Sequence, residues 1–313
     1  MTDVNDDEQL VLEQIERYAR QELEPYAQSL DSTEETATRH LPAMASLGLL
    51  GMNIEAEMGG IGLSGVALYK AVELIAAACG STASMLTAHF LATDSVQIGG
   101  TDELKQRILP DAAAGSLLGA FALTEPQAGS NPADMKTTAV KTGSHYRVRG
   151  SKCFISNAAH ADFLVVYAKT NPELGARGIS AFLVEPKSTA GIDIGLAERT
   201  MGIRGAHVFP ITFDCLVPEE NLIGAEGSGF RTAMKVLDNG RIEVAAQATG
   251  IASAALGAAI RYSKERLVGG HRIGDFQGLQ WMLADSATEL AAARALGMIA
   301  HSRGNHAQRA RWA

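Results

Sequence analysis

The sequence has 313 residues, 46% apolar and 20% charged, with a net charge of −8. That is room for two or three domains and a large core, and the negative balance argues against a nucleic-acid phosphate backbone as partner, which needs a positive footprint, while leaving room for local basic clusters that bind small anions. Cys79, Cys153 and Cys215 are far apart and form no C-x-x-C pair, which excludes a disulfide framework or zinc site and suits a reducing compartment. The eight histidines show no i, i+4 ligand pair and no Gly-x-Ser-x-Gly elbow occurs, so neither a metal nor a serine-hydrolase centre is expected. Met1 to Glu8 is acidic, unlike a signal or Arg-rich transit peptide. The uncharged runs Leu74–Thr93 and Val244–Ile260 are interrupted, the first by Gly80-Ser81-Thr82 and His89, the second by Gln247, Thr249 and Ser253. Neither offers the ~20 mostly apolar residues of a membrane span. A cytoplasmic protein with no membrane or nucleic-acid partner is expected.

In chain order, residues 6–23 place Val11, Ile15 and Tyr18 on one helical face, with Pro25 as the stop. A short helix is predicted from Pro42 to Gly48. Gly60, Gly62 and Gly65 spell G-x-G-x-x-G. The motif lacks a preceding buried strand and an acid about 20 residues on, so it predicts a tight turn capping a helix and no dinucleotide site. Helices follow at about 64–78, at about 81–98 and from about 102 to Pro110, the last with Leu104 and Ile108 facing inward.

From Leu117 the period changes. Leu117–Leu123 reads as a strand end, and Thr138/Val140 and Tyr146/Val148 alternate around Thr142-Gly143-Ser144 as a hairpin. Asp162–Ala168, Ile179–Val184 and Val208–Phe213 are further strand candidates. Helices, then short strands, then helices predict an α+β fold with a small antiparallel β-barrel between two helical parts. The expected domains are 1–116 (helical), 117–226 (β-barrel) and 227–313 (helical, incomplete). Ser228 to Leu267 is free of proline and rich in Ala and Gly, which predicts a long thin helix that lets neighbours approach closely. After Gly269-Gly270 a helix is expected from Asp275 to His301, with Phe276, Leu279, Leu283, Leu290 and Ala293 near one face. A basic tail runs from Asn305 to Ala313. Two such helices cannot bury all their faces against each other, so either something is missing or another subunit supplies the cover; a homodimer or homotetramer is the expected assembly.

Two stretches carry the chemistry. Phe121-Ala122-Leu123-Thr124-Glu125-Pro126-Gln127-Ala128-Gly129-Ser130-Asn131 leaves an apolar strand for a polar loop with a rigid proline and a permissive glycine. Lys152-Cys153-Phe154-Ile155-Ser156-Asn157 again ends an apolar strand on a hydroxyl. Hydroxyls and amides bunched on such loops suit a flat heteroaromatic ring or a phosphate; turn capping is the alternative use of Thr124 and Ser156.

Together the two stretches resemble the acyl-CoA dehydrogenase family of FAD-dependent flavoproteins, whose first loop reads close to T-E-P-x-A-G-S. The resemblance implies that Phe121, Leu123 and Thr124 lie along the isoalloxazine, Thr124 bonding its pyrimidine side. It implies that Phe154, Ile155 and Ser156 cover the ring, Ser156 near N5, although the family often has tryptophan where Phe154 stands. Fixed donors there stabilise the charge that reduction adds. Ser130 resembles a serine that contacts the acyl-CoA, and Leu237-Asp238-Asn239-Gly240-Arg241 resembles a segment whose Asp238 and Arg241 equivalents contact coenzyme A. Arg266 resembles the arginine that grips the cofactor pyrophosphate, a match of guanidinium fork to diphosphate, and Gln277 a glutamine that reaches the cofactor. Met201-Gly202-Ile203-Arg204-Gly205 and Val217 to Gly224 match family strand and turn patterns, for which structural roles suffice.

The sequence also departs from the family. Gly269 stands where an aromatic is usual. The base that should take the α-proton is missing: most members carry a glutamate on a loop past the position where this chain ends, and others place it where Gly240 stands. Glu243, three residues on, is the substitute candidate, with an exposed helix carboxylate as the alternative reading. The chain therefore resembles the first four-fifths of a family member. The implied activity is α,β-dehydrogenation of an acyl-CoA with electrons passed to an electron-transfer flavoprotein, poorly catalysed by this chain. The rivals are a relative with nitroalkane oxidase or flavin monooxygenase chemistry, and a truncated chain that only binds ligand or assembles with partners.

Overall fold

The computed structural model describes residues 4–302, so the basic tail from Asn305 to Ala313 lies outside the described residues. The helices are α1 (Asp6–Tyr18), α2 (Glu24–Thr33), α3 (Leu41–Ser46), α4 (Gly65–Ala78), α5 (Gly80–Gly99) and α6 (Asp102–Ala113). The strands β1 (Gly119–Ala122), β2 (Thr138–Thr142), β3 (His145–Ser156), β4 (Phe163–Lys169), β5 (Ile179–Val184), β6 (Ile192–Ile194), β7 (Val208–Pro218) and β8 (Leu222–Ile223) follow. Helix α7 (Gly229–Glu265), the hairpin β9 (Leu267–Val268) and β10 (His271–Arg272), and α8 (Gln277–Ser302) complete the described chain. The predicted order of helices, strands and helices is therefore what the chain adopts.

The prolines act differently from expectation. Pro25 does not stop the first helix, because Ala19–Leu23 widens into a π turn and α2 continues through the proline. The wider turn absorbs the ring's clash with the carbonyl four residues back. Pro110 lies inside α6, which runs three residues past it. On α1, Leu12 is buried in place of Val11, beside Ile15 and Tyr18.

The chain divides into two compact units. The first comprises Met1–Gln28, Ser64–Ala83 and Arg241–Ala313. Within it α1 starts on a capping box, Asn5 Oδ1 accepting from the Glu8 amide at 2.8 Å and Glu8 Oε2 from the Asn5 amide at 3.2 Å. The glycine-rich stretch serves as the predicted cap: Ser64 Oγ accepts from the Ala67 amide that opens α4. Helix α4 packs on α1 and α8. A Cβ at Gly250 of α7 would lie 2.3 Å from the Glu73 carbonyl of α4, so glycine is what permits that approach.

By length and composition α7 is apolar enough to cross a membrane, contrary to the reading of its polar residues as interruptions. Those residues are instead used inside the unit. Gln247 Nε2 donates to the Gly80 carbonyl at 3.2 Å, Thr249 pairs with the buried Tyr69 hydroxyl at 3.0 Å, and Ser253 accepts from Arg294 at 3.4 Å.

The second unit comprises Ser29–Leu63 and Ser84–Gly240. Its eight strands pair in the order β6-β7-β3-β2-β4-β5-β8, with β1 added to β4. The expected antiparallel barrel becomes a mixed sheet: β1 and β2 both run parallel to β4, and among the described residues no pairing joins the end strands β6 and β8. Parallel pairing is possible because the whole β2–β3 hairpin intervenes as the crossover from β1 to β4. Strand β4 is central and buried along its length except at Lys169, whereas β7 alternates. In β2 the buried residue is Ala139, and Val140 is exposed opposite Arg147. The β4 side chains Val165 and Tyr167 join a core with Ala92 and Val96 of α5 and Leu109 of α6, while Leu164 and Val166 join Val148, Phe182, Ile211 and Phe213.

Candidate functional site

In the second unit, the two singled-out stretches are brought together by bonds between them. Strand β1 ends at Ala122, and Glu125 to Ala128 closes a tight turn, with the Ala128 amide donating to the Glu125 carbonyl at 3.0 Å. Pro126 supplies the turn's fixed φ. The Cys153 amide of β3 donates to the Thr124 carbonyl at 3.0 Å, and Lys152 Nζ donates to the Leu123 carbonyl at 2.9 Å. Phe121, Leu123 and Thr124 thus run beside the end of β3 that carries Phe154, Ile155 and Ser156.

That end of β3 is bent. Its register with β7 shifts between Lys152 and Ile155, a bulge, and Phe154 within it has φ +57°. An aromatic residue held in the left-handed region costs about 1–3 kcal/mol, and such strain clusters at functional sites. The bulge turns the Phe154 ring outward, 62% exposed, while Ile155 resumes pairing with Phe209 and is buried. Asn157 closes the strand with φ +66°. Its Nδ2 donates to the carbonyls of Met85 in α5 (2.9 Å) and Gly119 in β1 (3.3 Å). His89, one turn on from Met85, is driven by burial to a pKa of about 4. It is therefore neutral, and its Nδ1 accepts the Gly119 amide at 3.0 Å. One face of α5 thereby fixes the start of β1 and the end of β3.

The Thr124 and Ser156 side chains are half-buried, and among the described residues neither hydroxyl meets a protein hydrogen-bond partner. Neither caps a turn. An outward aromatic and two hydroxyls unengaged among the described residues, on segments bonded to each other, are what a flat ring with polar edges requires, so these residues fit FAD.

Beneath the loop lies an ion pair. Glu125 is buried, and its carboxylate accepts from Lys152 Nζ (2.8 Å), Gln127 Nε2 (2.6 Å) and the amides of Lys136 (2.6 Å) and Thr137 (3.0 Å). Burial alone would raise the Glu125 pKa; the Lys152 charge and these donors overcome it and hold the carboxyl at about 2. Burial lowers Lys152 to about 8, with Glu125 opposing the shift, so both groups are charged at neutral pH.

The other candidates are placed as follows. Ser130 is exposed just beyond the turn. Asp238 is half-buried on α7; the next residue, Asn239, donates to the buried Asp94 carboxylate of α5 at 2.7 Å. A side chain at Gly240 would meet Leu91 at 2.5 Å. Arg204 pairs with Glu34, its amide bonds Asp31 at 3.1 Å, and the Gly205 carbonyl accepts from the Ala37 amide at 2.9 Å. The Met201–Gly205 stretch is therefore anchored structurally.

Arg241, Glu243, Arg266 and Gln277 lie in the first unit. Arg241 is exposed on α7. Glu243 is 2% exposed, which overturns its reading as a surface carboxylate. Arg266 follows α7 with an exposed side chain, and the Ile273 amide donates to its carbonyl at 2.9 Å. Gln277 is exposed at the first position of α8. Gly269, where the family usually has an aromatic, and Gly270 form the two-residue turn of the β9–β10 hairpin with φ +59° and +84°, a geometry that favours glycine at both positions.

Reading the sequence alone missed Glu125, Lys152, Asn157 and His89 as parts of this arrangement. A lysine in a run otherwise apolar up to Ser156 was the one available signal.

Three family models match in succession: the acyl-CoA dehydrogenase N-terminal domain over residues 5–116, the middle domain over 120–216 and the C-terminal domain over 227–312. The chain is 43% identical over 293 residues to an acryloyl-CoA reductase (NADH) of Anaerotignum propionicum, covering 92% of this chain and 74% of that protein. It is 41% identical over 292 residues to a short-chain-specific acyl-CoA dehydrogenase of Clostridium acetobutylicum, covering 93% and 77%. In structure it is similar to the butyryl-CoA dehydrogenase of Megasphaera elsdenii, with a TM-score of 0.92 at 36% identity, over 96% of this chain and 80% of that one.

Proposed function

The chain belongs to the acyl-CoA dehydrogenase family, and from that premise we propose that it is an FAD-dependent oxidoreductase acting on the Cα–Cβ bond of an acyl-CoA thioester. The observation that carries this reading is the stapled pair of segments, with the Phe154 ring outward and the Thr124 and Ser156 hydroxyls unengaged among the described residues. FAD, when bound, supplies the acceptor for the hydride that leaves Cβ.

The chain's own residues do the rest. The Thr124 and Ser156 hydroxyls donate to the polar edge of the ring, and donors fixed beforehand need no reorganisation as charge develops. Phe154 covers the ring and keeps water from it; Leu123 and Ile155 give the backing apolar surface. By the family resemblance, Arg266 would hold the cofactor pyrophosphate and Gln277 would reach the cofactor. By the same resemblance, Ser130, Asp238 and Arg241 would contact the coenzyme A moiety. The α-proton requires a carboxylate within hydrogen-bond reach, and Glu243, three residues past Gly240, is the substitute candidate for that role. An electron-transfer flavoprotein takes the electrons onward, and the chain works as a homo-oligomer in the cytoplasm, where its three free, buried cysteines stay reduced. The domains implied are 1–116, 117–226 and 227–313.

The test is anaerobic mixing of the FAD-loaded protein with a panel of straight and branched acyl-CoAs. Bleaching of the flavin supports the reading. Oxygen consumption with a nitroalkane, without bleaching by any acyl-CoA, would favour the oxidase chemistry instead.

A further inference from the structure

A buried ion pair is an expensive way to hold a loop. Lys152 and Glu125 are both charged and almost wholly removed from solvent. Well-packed apolar residues often stabilise a fold as well as such a pair does, so stability alone is a weak reason for it. What the pair does that an apolar contact cannot is fix the direction of particular backbone groups. Lys152 Nζ holds the Leu123 carbonyl, and the next residue, Cys153, holds the next carbonyl, that of Thr124. Carbonyl and amide point in opposite directions across a trans peptide. Tying the Leu123 oxygen to Lys152 therefore turns the Thr124 amide to the opposite side of the chain. Glu125 in turn takes the Lys136 and Thr137 amides, fixing the far end of the same loop. The register shift carrying Phe154 begins at Lys152 itself.

We propose that Lys152 and Glu125 are positioning residues for the flavin ring: the pair sets the direction of the Leu123–Thr124 peptide and the start of the Phe154 bulge before the cofactor arrives. The inference rests on the flavin reading above. Neither side chain needs to touch the cofactor; each acts through backbone atoms that do. A preset loop binds a rigid ligand without the entropy cost of ordering itself. Loosening the pair should therefore weaken FAD binding and alter the ring's surroundings in a protein that still folds.

The variants are Lys152→Met, Glu125→Gln, which keeps the side chain's size and an accepting oxygen, and the double change. Three quantities are read for each: folding of the FAD-free protein by circular dichroism, the FAD dissociation constant by flavin fluorescence, and the flavin midpoint potential with its visible spectrum. The expected result is a folded protein whose dissociation constant rises about tenfold or more, equivalent to about 1.4 kcal/mol, with a displaced potential and spectrum. Variants that fold and keep the parent's affinity, potential and spectrum overturn the proposal. Failure of all three variants to fold overturns it too, since the pair would then support the whole sheet unit rather than the loops. If the unaltered protein binds no FAD, the flavin reading itself has failed, and the parent titration alone shows this.

Discussion

At the scale of residues, the site combines strain with unengaged donors. Phe154 occupies a left-handed backbone conformation that glycine would adopt freely. Phe154→Gly should leave the FAD-free protein as stable or about 1 kcal/mol more stable, while weakening FAD retention through loss of the ring; melting curves with and without FAD check both halves. Thr124→Val and Ser156→Ala should each weaken FAD binding or shift its potential at the scale of a lost buried hydrogen bond, about 1–3 kcal/mol, read by titration and potentiometry. Glu125 gives a pH signature. Its folded pKa, about 2, lies below its ordinary value of 4.5, so its contribution to stability is present above pH 4.5 and is lost as the pH falls toward 2. Glu125→Gln should flatten that part of the stability profile in acid-titrated unfolding curves. Glu243 is buried, so Glu243→Gln probes the base directly: single-turnover flavin reduction abolished by this change assigns the base, and reduction that survives it places the base elsewhere. The hydroxyls and the aromatic could be read from the two motifs. The partner of Lys152 could not, because Glu125 lies 27 residues away and no local pattern pairs them.

At the scale of elements, periodicity identified α4, α5, α7 and the β2–β3 hairpin, where the pattern extends over many residues. It failed where one residue was taken to decide a boundary. Pro25 and Pro110 were read as stops, yet a π turn accommodates the first and α6 continues past the second. The parallel pairing of β1 with β4 has no signature in either strand, since it depends on the route of the chain between them. The close contact at Gly250 was only partly legible: the Ala/Gly-rich run predicted a thin helix without saying which position meets a neighbour. Gly250→Val would drive a side chain into the Glu73 carbonyl. Loss of several kcal/mol, as for severe overpacking, is the expected outcome in denaturant unfolding.

At the scale of the whole molecule, the first unit leaves large apolar side chains in solvent, among them Val244, Tyr262, Trp281, Met282 and Leu296. A groove of about 690 Å³ between α7 and α8 is lined by Leu256, Leu279, Leu283 and Leu290. Exposed apolar surface of this kind favours association, so the purified chain should bind a hydrophobic dye and sediment as a concentration-dependent mixture. The central claim is that the paired segments of the second unit serve an FAD-dependent acyl-CoA oxidoreductase. Anaerobic flavin reduction by an acyl-CoA panel tests it most directly. A yellow protein whose visible flavin band bleaches with at least one acyl-CoA is expected; a folded protein that retains no FAD, or one whose flavin stays oxidised with every acyl-CoA, would overturn this assignment.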